Sequence, residues 1–207
     1  MGFVHHSATL EPTKQELVEA WLPSRPWASG ATTVTKVGEY RFDDPDGEVG
    51  IETILWQTPD GSVLQVPFTY RAAPLAGADE FLVGTSEHSV LGPRFVYDGC
   101  ADPVWVSAVT TAVLTGGTQA QMVVERDGRM VDVPARVPVV GSGSPVADVP
   151  ETSTVDAVHD EGPVTTVTAG PVTLSLARVV GTPLSGDATL TGSTRDQDLG
   201  VLASVVS

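Results

Sequence analysis

Asparagine is missing from the chain altogether, and its only lysines are Lys14 and Lys36. Kinase-type phosphoryl transfer uses a base Asp, an Asn that holds magnesium a short step further on, a second magnesium-binding Asp and a strand Lys on the phosphates. A sequence without Asn, with both lysines far from any glycine loop, excludes that chemistry as a self-contained activity. Cysteine is almost as scarce. Cys100 stands alone, so no internal disulfide forms, and its neighbours Asp98 and Asp102 raise a thiol pKa where a nucleophile needs it lowered. A structural role is expected for it. No apolar run of about 18 residues is present for a transmembrane helix. Residues 1–10 lack the basic and apolar regions of a signal peptide, so a cytoplasmic location is expected.

Basic residues are few. The formal charge of −15 repels phosphate backbones and anionic lipid, and no local basic patch offsets it, which excludes nucleic acid and membrane surfaces as expected partners. Known constellations are missing as well. There is no Gly-x-Ser-x-Gly elbow, and His88 and His159 have no identifiable orienting partner. His5 and His6 are adjacent on a terminus without the further donors of a closed metal shell. Asp43-Asp44-Pro45-Asp46-Gly47-Glu48 has neither the spacing nor the terminal Glu of a calcium loop and reads as a solvated hairpin turn. Paired carboxylates such as Glu39 with Glu52, or Asp156 with Asp160, have no diagnostic force in so acidic a chain. No catalytic, cofactor-binding or metal residue is therefore expected.

Val, Thr, Gly and Pro are abundant, and they favour strands and turns. The organising stretch is Trp56 to Arg71, two β-prone arms about Pro59-Asp60-Gly61. On the second arm Leu64, Val66, Phe68 and Tyr70 share one face, the expected core face. Pro67 lacks an N–H and marks an edge strand or a bulge. Before this hairpin, Thr13 and Glu16 form a capping-box pattern for a helix with the apolar stripe Leu17, Val18, Trp21, Leu22, ended by Pro23. A turn with Arg25 and Trp27 follows, which either clamps a ligand or folds the Trp back over the helix. Strands are expected at 32–42, 49–56, 81–85 and 94–97. A second helix starts at Asp102-Pro103 and stops at Gly116-Gly117. Further strands are expected at 121–126 and 129–140 about an Asp127-Gly128 turn, then at 171–180, 188–192 and 199–206, closing or extending the sheet. Gly141 to Pro145 resembles a glycine loop but opens no helix, which argues against a phosphate cradle. Residues 145–163, without period, read as a long mobile connection.

The capped helix, Ala20 to Trp27, Val66 to Arg71, Val96-Tyr97-Asp98 and the Asp102-Pro103 helix start together resemble the N-terminal cap domain of actinobacterial maltokinases, over roughly residues 13 to 118. The remainder resembles free-standing cap-like proteins of the same kind. The resemblance implies a cystatin-like cap: a β-dominated α+β fold, with a curved antiparallel sheet packed on one or two helices and extended by C-terminal antiparallel strands. Residues 1–118 form the cap-like region and 119–207 a β-rich region packed with it as one unit. It also implies a non-catalytic regulatory or assembly module with no cofactor, acting in α-glucan or amino-sugar metabolism through a sugar kinase or glucan-processing enzyme. Trp, Tyr and Arg dominate binding hot spots, so the candidate contact surface is Trp21, Arg25, Trp27, Trp56 and Tyr70. The alternative is a small carbohydrate-binding module or sugar-processing enzyme, in which Trp27, Trp56, Tyr70 and Trp105 form an exposed platform.

Overall fold

A computed structural model describes residues 9–126 and 129–206. The first half contains β1 (Leu10–Glu11), α1 (Lys14–Trp21), β2 (Thr35–Tyr40), β3 (Gly50–Gln57), β4 (Val63–Arg71), β5 (Leu82–His88), β6 (Gly92–Asp98) and α2 (Pro103–Thr115). The ribbon β7 (Met122–Arg126) and β8 (Arg129–Val133) follows, and then β9 (Val139–Gly141), β10 (Ala157–Glu161), β11 (Val164–Ala169), β12 (Val172–Ala177), β13 (Ala188–Ser193) and β14 (Asp198–Val206). The first sheet runs β1-β5-β6-β4-β3-β2 and the second β10-β11-β12-β14-β13-β9, antiparallel throughout. The fold is thus the expected β-dominated α+β class with a curved antiparallel sheet and two helices.

Local chemistry sets the helices. Thr13 Oγ1 accepts the Glu16 N–H at 3.2 Å while Glu16 Oε2 accepts the Thr13 N–H at 2.7 Å, so two otherwise orphaned donors are satisfied at the start of α1. Pro23 and Pro26 then break the chain into two short 3-10 turns, Leu22–Ser24 and Pro26–Ala28. Asp102 caps α2 by accepting the Val104 N–H, Pro103 fills the first turn, and Gly116 ends the helix in the left-handed conformation at φ 73°. Valine-rich α2 is a weak helix former, and it is held by burial of Trp105, Val106, Val109 and Val113 between the sheets.

The first sheet is covered on both faces. Ile54, Trp56, Leu64, Val66 and Phe68 pack against Leu17, Val18, Trp21, Leu22 and Trp27 on the α1 side. Tyr40, Ile51 and Leu55 pack on the other side with α2 and with Leu174, Leu176, Leu190 and Leu202 of the second sheet. The core face expected on β4 is present, but Gln65 and Thr69 on the opposite face are also buried. The C-terminal strands do not simply extend the first sheet. They build the second one, joined to the first by a bridge between Leu64 and Val179, where Gln65 N–H donates to Arg178 O and Val180 N–H to Val63 O, both at 2.8 Å.

That junction explains Pro67. β4 is an interior strand, not an edge, with β3 on one side. On the other side β6 pairs with Phe68–Arg71 and the Arg178–Val180 segment takes over at Val63–Gln65. The Gln65 N–H points away from β3, and alternate residues repeat that direction. The missing donor of Pro67 therefore falls in the gap between the two partners, where no ladder bond is lost.

One expectation needs correction in the C-terminal half. Residues 157–161, read as part of a mobile connection, form β10, an edge strand hairpinned to β11 around Gly162; His159 and Asp160 lie on it. Alternation of half-buried with exposed polar residues gave this strand no apolar signature. The glycine loop serves α2: Gly143 and Ser144 N–H donate to Val113 and Leu114 O at 3.0 and 2.9 Å. These are C-terminal carbonyls that the helix cannot satisfy itself. The Asp127-Gly128 turn, His5 and His6 lie outside the described residues.

Candidate functional site

The corner after α1 carries most of the expected contact residues. The 3-10 turns swing Trp27 back under the helix, where it meets Trp21 edge to face at 5.7 Å between ring centroids. Arg25 lies over the Trp21 ring at 4.9 Å. Ser29 then takes φ 51°, a left-handed conformation unusual for a residue with a Cβ, and sends the chain along the tip of the β3–β4 hairpin. Between this turn and the tip lies a cavity of about 300 Å³, lined by Trp27, Ser29 to Thr33, Thr58 to Asp60, Ser62, Leu64 and Val179. A more open depression of about 600 Å³ on the far side of Thr33 and Thr58 is lined by Gln15, Glu19, Thr35 and Gln57.

Of the five expected contact residues, Trp21, Arg25 and Trp27 come together; Trp56 lies in the same core, and Tyr70 packs against that core while its hydroxyl turns to a polar cluster. Trp21, Trp27 and Trp56 are only 7%, 3% and 1% exposed, so they form interior rather than surface. The exposed platform required by the alternative does not form either. Trp105 is fully buried on the opposite face of the sheet, its Nε1 3.4 Å from Thr53 Oγ1. The Trp folded over its own helix is the reading that the geometry selects.

Tyr70 joins a separate polar cluster that holds both lysines. Lys14 Nζ lies 2.5 Å from Glu52 Oε2 and 5.5 Å over the Tyr70 ring, Tyr70 donates its hydroxyl to the same carboxylate oxygen at 2.9 Å, and Lys36 pairs with Glu39. Glu39 and Glu52 are close enough to shift each other's titration. Burial pushes the Glu39 carboxyl up, and the Glu52 charge adds to that, with Lys36 opposing. Burial also acts to raise Glu52, but Lys14, the neighbouring Glu39 and Lys36 outweigh it and bring it down to about 2. With lysines on both, this is an internal charge network.

A third cluster was not anticipated. Arg178, 1% exposed, donates from Nη2 to Asp98 Oδ2 at 2.5 Å and from Nε to Thr165 Oγ1 at 2.6 Å, and Thr165 donates to Asp160 at 2.5 Å. Its guanidinium stacks over Trp27 at 4.6 Å. Cys100 lies beside this pair; burial pushes its thiol well up, against the pull of Arg178, and it acts as a structural residue. The sequence signal was an Arg set in the apolar run Leu174 to Val180. The Asp43–Glu48 turn is likewise closed on itself, since Asp44 accepts the N–H groups of Asp46, Glu48 and Val49. Among the described residues no three His, Cys, Asp or Glu side chains converge as a metal shell requires, and no helix is long and apolar enough to cross a membrane.

Residues 21–102 match the maltokinase N-terminal cap domain. The match opens on the Trp21 corner, spans β2 to β6 and closes at Asp102, the α2 cap. No curated protein matches the chain. The stretch that shapes the Trp27 corner and most of the first sheet is thus the part of the chain that is similar to the maltokinase N-terminal cap domain.

Proposed function

We propose that the chain is a non-catalytic cap module of the cytoplasm, regulating or assembling a protein partner by contact. The partner is a sugar kinase or glucan-processing enzyme of α-glucan or amino-sugar metabolism. The family match over the first sheet carries this reading, because a cap is named for what it sits upon. The disposition of reactive groups supports it. Lys14, Lys36, Glu39, Glu52, Asp98 and Arg178 are held by one another rather than presented to a cleft, and Arg71 is tied to Asp102 by two bonds of 2.6 and 2.7 Å. Groups so engaged support a reading in which the chain works by contact.

Affinity capture of the tagged chain from a native extract, with mass-spectrometric identification, tests the partner. Parallel assay of the purified chain for ADP release with maltose or glucosamine tests catalysis. A co-purifying sugar kinase or glucan enzyme and no ADP are expected. ADP release by the pure chain overturns the proposal.

A further inference from the structure

Resting on the reading of the chain as a contact module, we propose that β10 is its docking edge, taking an extended basic segment of a partner protein as an added strand of the second sheet. Backbone direction comes first. Thr168 O accepts the Asp156 N–H at 2.8 Å, so Thr168 faces β10, where it pairs with Ala157. Bonding direction alternates along an antiparallel pair, which turns Ala157, His159 and Glu161 toward β11 and points the N–H and C=O groups of Val158 and Asp160 out of the sheet. No described residue bonds to any of them.

The other outer strands of the two sheets are blunted. β1 has two residues and runs into Pro12, β9 has three, and in β2 a register shift between Lys36 and Gly38 leaves Val37 as an extra residue beside a lysine. Shortness, proline, lysine and bulges are the devices that keep an edge from pairing. β10 keeps its register over all five residues and contains neither Lys nor Pro.

Charge selects the occupant. No Lys or Arg occurs between Arg136 and Arg178, whereas Asp148, Glu151, Asp156, Asp160 and Glu161 all fall there. A second copy brings another β10 without a cation and another formal charge of −15, so self-pairing is disfavoured and a strand bearing Lys or Arg is favoured. The two faces divide the contacts. Exposed Ala157, His159 and Glu161 lie on one face, and Val158, on the other, is half-buried against the cluster of Ala78, Tyr97 and Ala101. Residues directly opposite share a face, so the added strand sets a basic residue beside Glu161 and an apolar one beside Val158, an alternation of cation and aliphatic side chain. Main-chain bonds to Val158 and Asp160 supply affinity, and the alternation supplies specificity.

The test is amide hydrogen exchange of the full chain, read at Val158 and Asp160, with synthetic peptides as probes. One peptide alternates Lys and Val, a second is the same peptide N-methylated so that its backbone cannot donate, and a third alternates Glu and Val. In the free chain the Val158 and Asp160 amides are expected to exchange faster than those of His159 and Glu161. The Lys–Val peptide at about ten times its Kd is expected to slow both about tenfold, with the other two peptides inert. Glu161→Lys, at an exposed position, is expected to weaken the Lys–Val peptide about threefold or more. Slow exchange at Val158 and Asp160 already in the free chain, no slowing by the Lys–Val peptide, equal slowing by either control peptide, or an unchanged affinity in Glu161→Lys overturns the docking edge. Such a failure leaves the extract capture standing, because it concerns this edge alone. Peptide bound at β10 with no sugar kinase or glucan enzyme captured removes the partner's identity and leaves the edge.

Discussion

Arg178 Nη2 and Asp98 Oδ2 lie 2.5 Å apart with both side chains buried, and they come from different sheets, Asp98 closing β6 and Arg178 following β12. A paired buried charge contributes little net stability, but breaking such a pair leaves its partner stranded. The family-matched stretch and the C-terminal sheet are in this way made mutually dependent.

The consequence is measurable in urea unfolding. Arg178→Met is expected to cost about 3 to 5 kcal/mol, because Asp98 is left without its partner in a buried site. Arg178→Met combined with Asp98→Asn is expected to recover part of that loss. Both halves should unfold in one transition. Two separate transitions in the parent chain would contradict the coupling.

Gln65 ties the same layers through neutral groups. Its Oε1 accepts the Tyr40 hydroxyl at 2.8 Å and its Nε2 donates to Ala177 O and Leu202 O, each at 3.0 Å. Gln65→Leu fills the space but orphans those three groups, at about 1 to 3 kcal/mol for each one left without water. A loss of about 3 kcal/mol in urea unfolding is expected. Tyr40→Phe, which removes one partner only, should cost about 1 kcal/mol.

What the sequence disclosed was local. The Thr13–Glu16 box, the Asp102 cap, the Gly116 stop and the hairpin between β3 and β4 each depend on neighbours a few residues away, and each formed as read. Gln65 shows where this ends. In an alternating strand it reads as a solvent-facing polar residue, and the carbonyls that bury it lie 112 and 137 residues further on. The tryptophans illustrate the same limit. Residue type marked Trp21, Trp27 and Trp56 as contact candidates, whereas cover by α1 and by the turn decides that they are core. β10 escaped for the opposite reason, as an edge strand with no apolar face to show.

Acid stability reports on the lysine cluster. The folded pKa of Glu52 is depressed from 4.5 to about 2, so its contribution is fully present above about pH 4.5 and is lost as pH falls through about 2. Glu39 has the opposite sign, its raised pKa giving a contribution that fades as pH rises. Thermal melts between pH 7 and pH 2 should show a steeper acid loss for the parent than for Glu52→Gln. Glu39→Gln should be neutral or slightly stabilising at pH 7. Equal acid slopes for the parent and Glu52→Gln would show that Lys14 and Glu52 do not interact in solution.

The glycine loop gives the sharpest steric prediction. A Cβ on Gly143 would lie 1.9 Å from Leu114 O, and one on Gly141 1.9 Å from Ala112 O, both backbone atoms that cannot swing aside. Gly143→Ala must therefore push the loop off the C-terminus of α2, releasing the bonds to Val113 O and Leu114 O and loosening the helix that fills the space between the sheets. A loss of at least about 3 kcal/mol is expected, comparable with other severe backbone and core lesions. Gly47→Ala is the control, since Gly47 has φ 72° with open space around it and should cost only the strain of a left-handed alanine, about 1 to 2 kcal/mol. Amide exchange along Pro103–Thr115 would separate the two, rising in Gly143→Ala and unchanged in Gly47→Ala; equal protection in both would mean that the loop does not hold the helix.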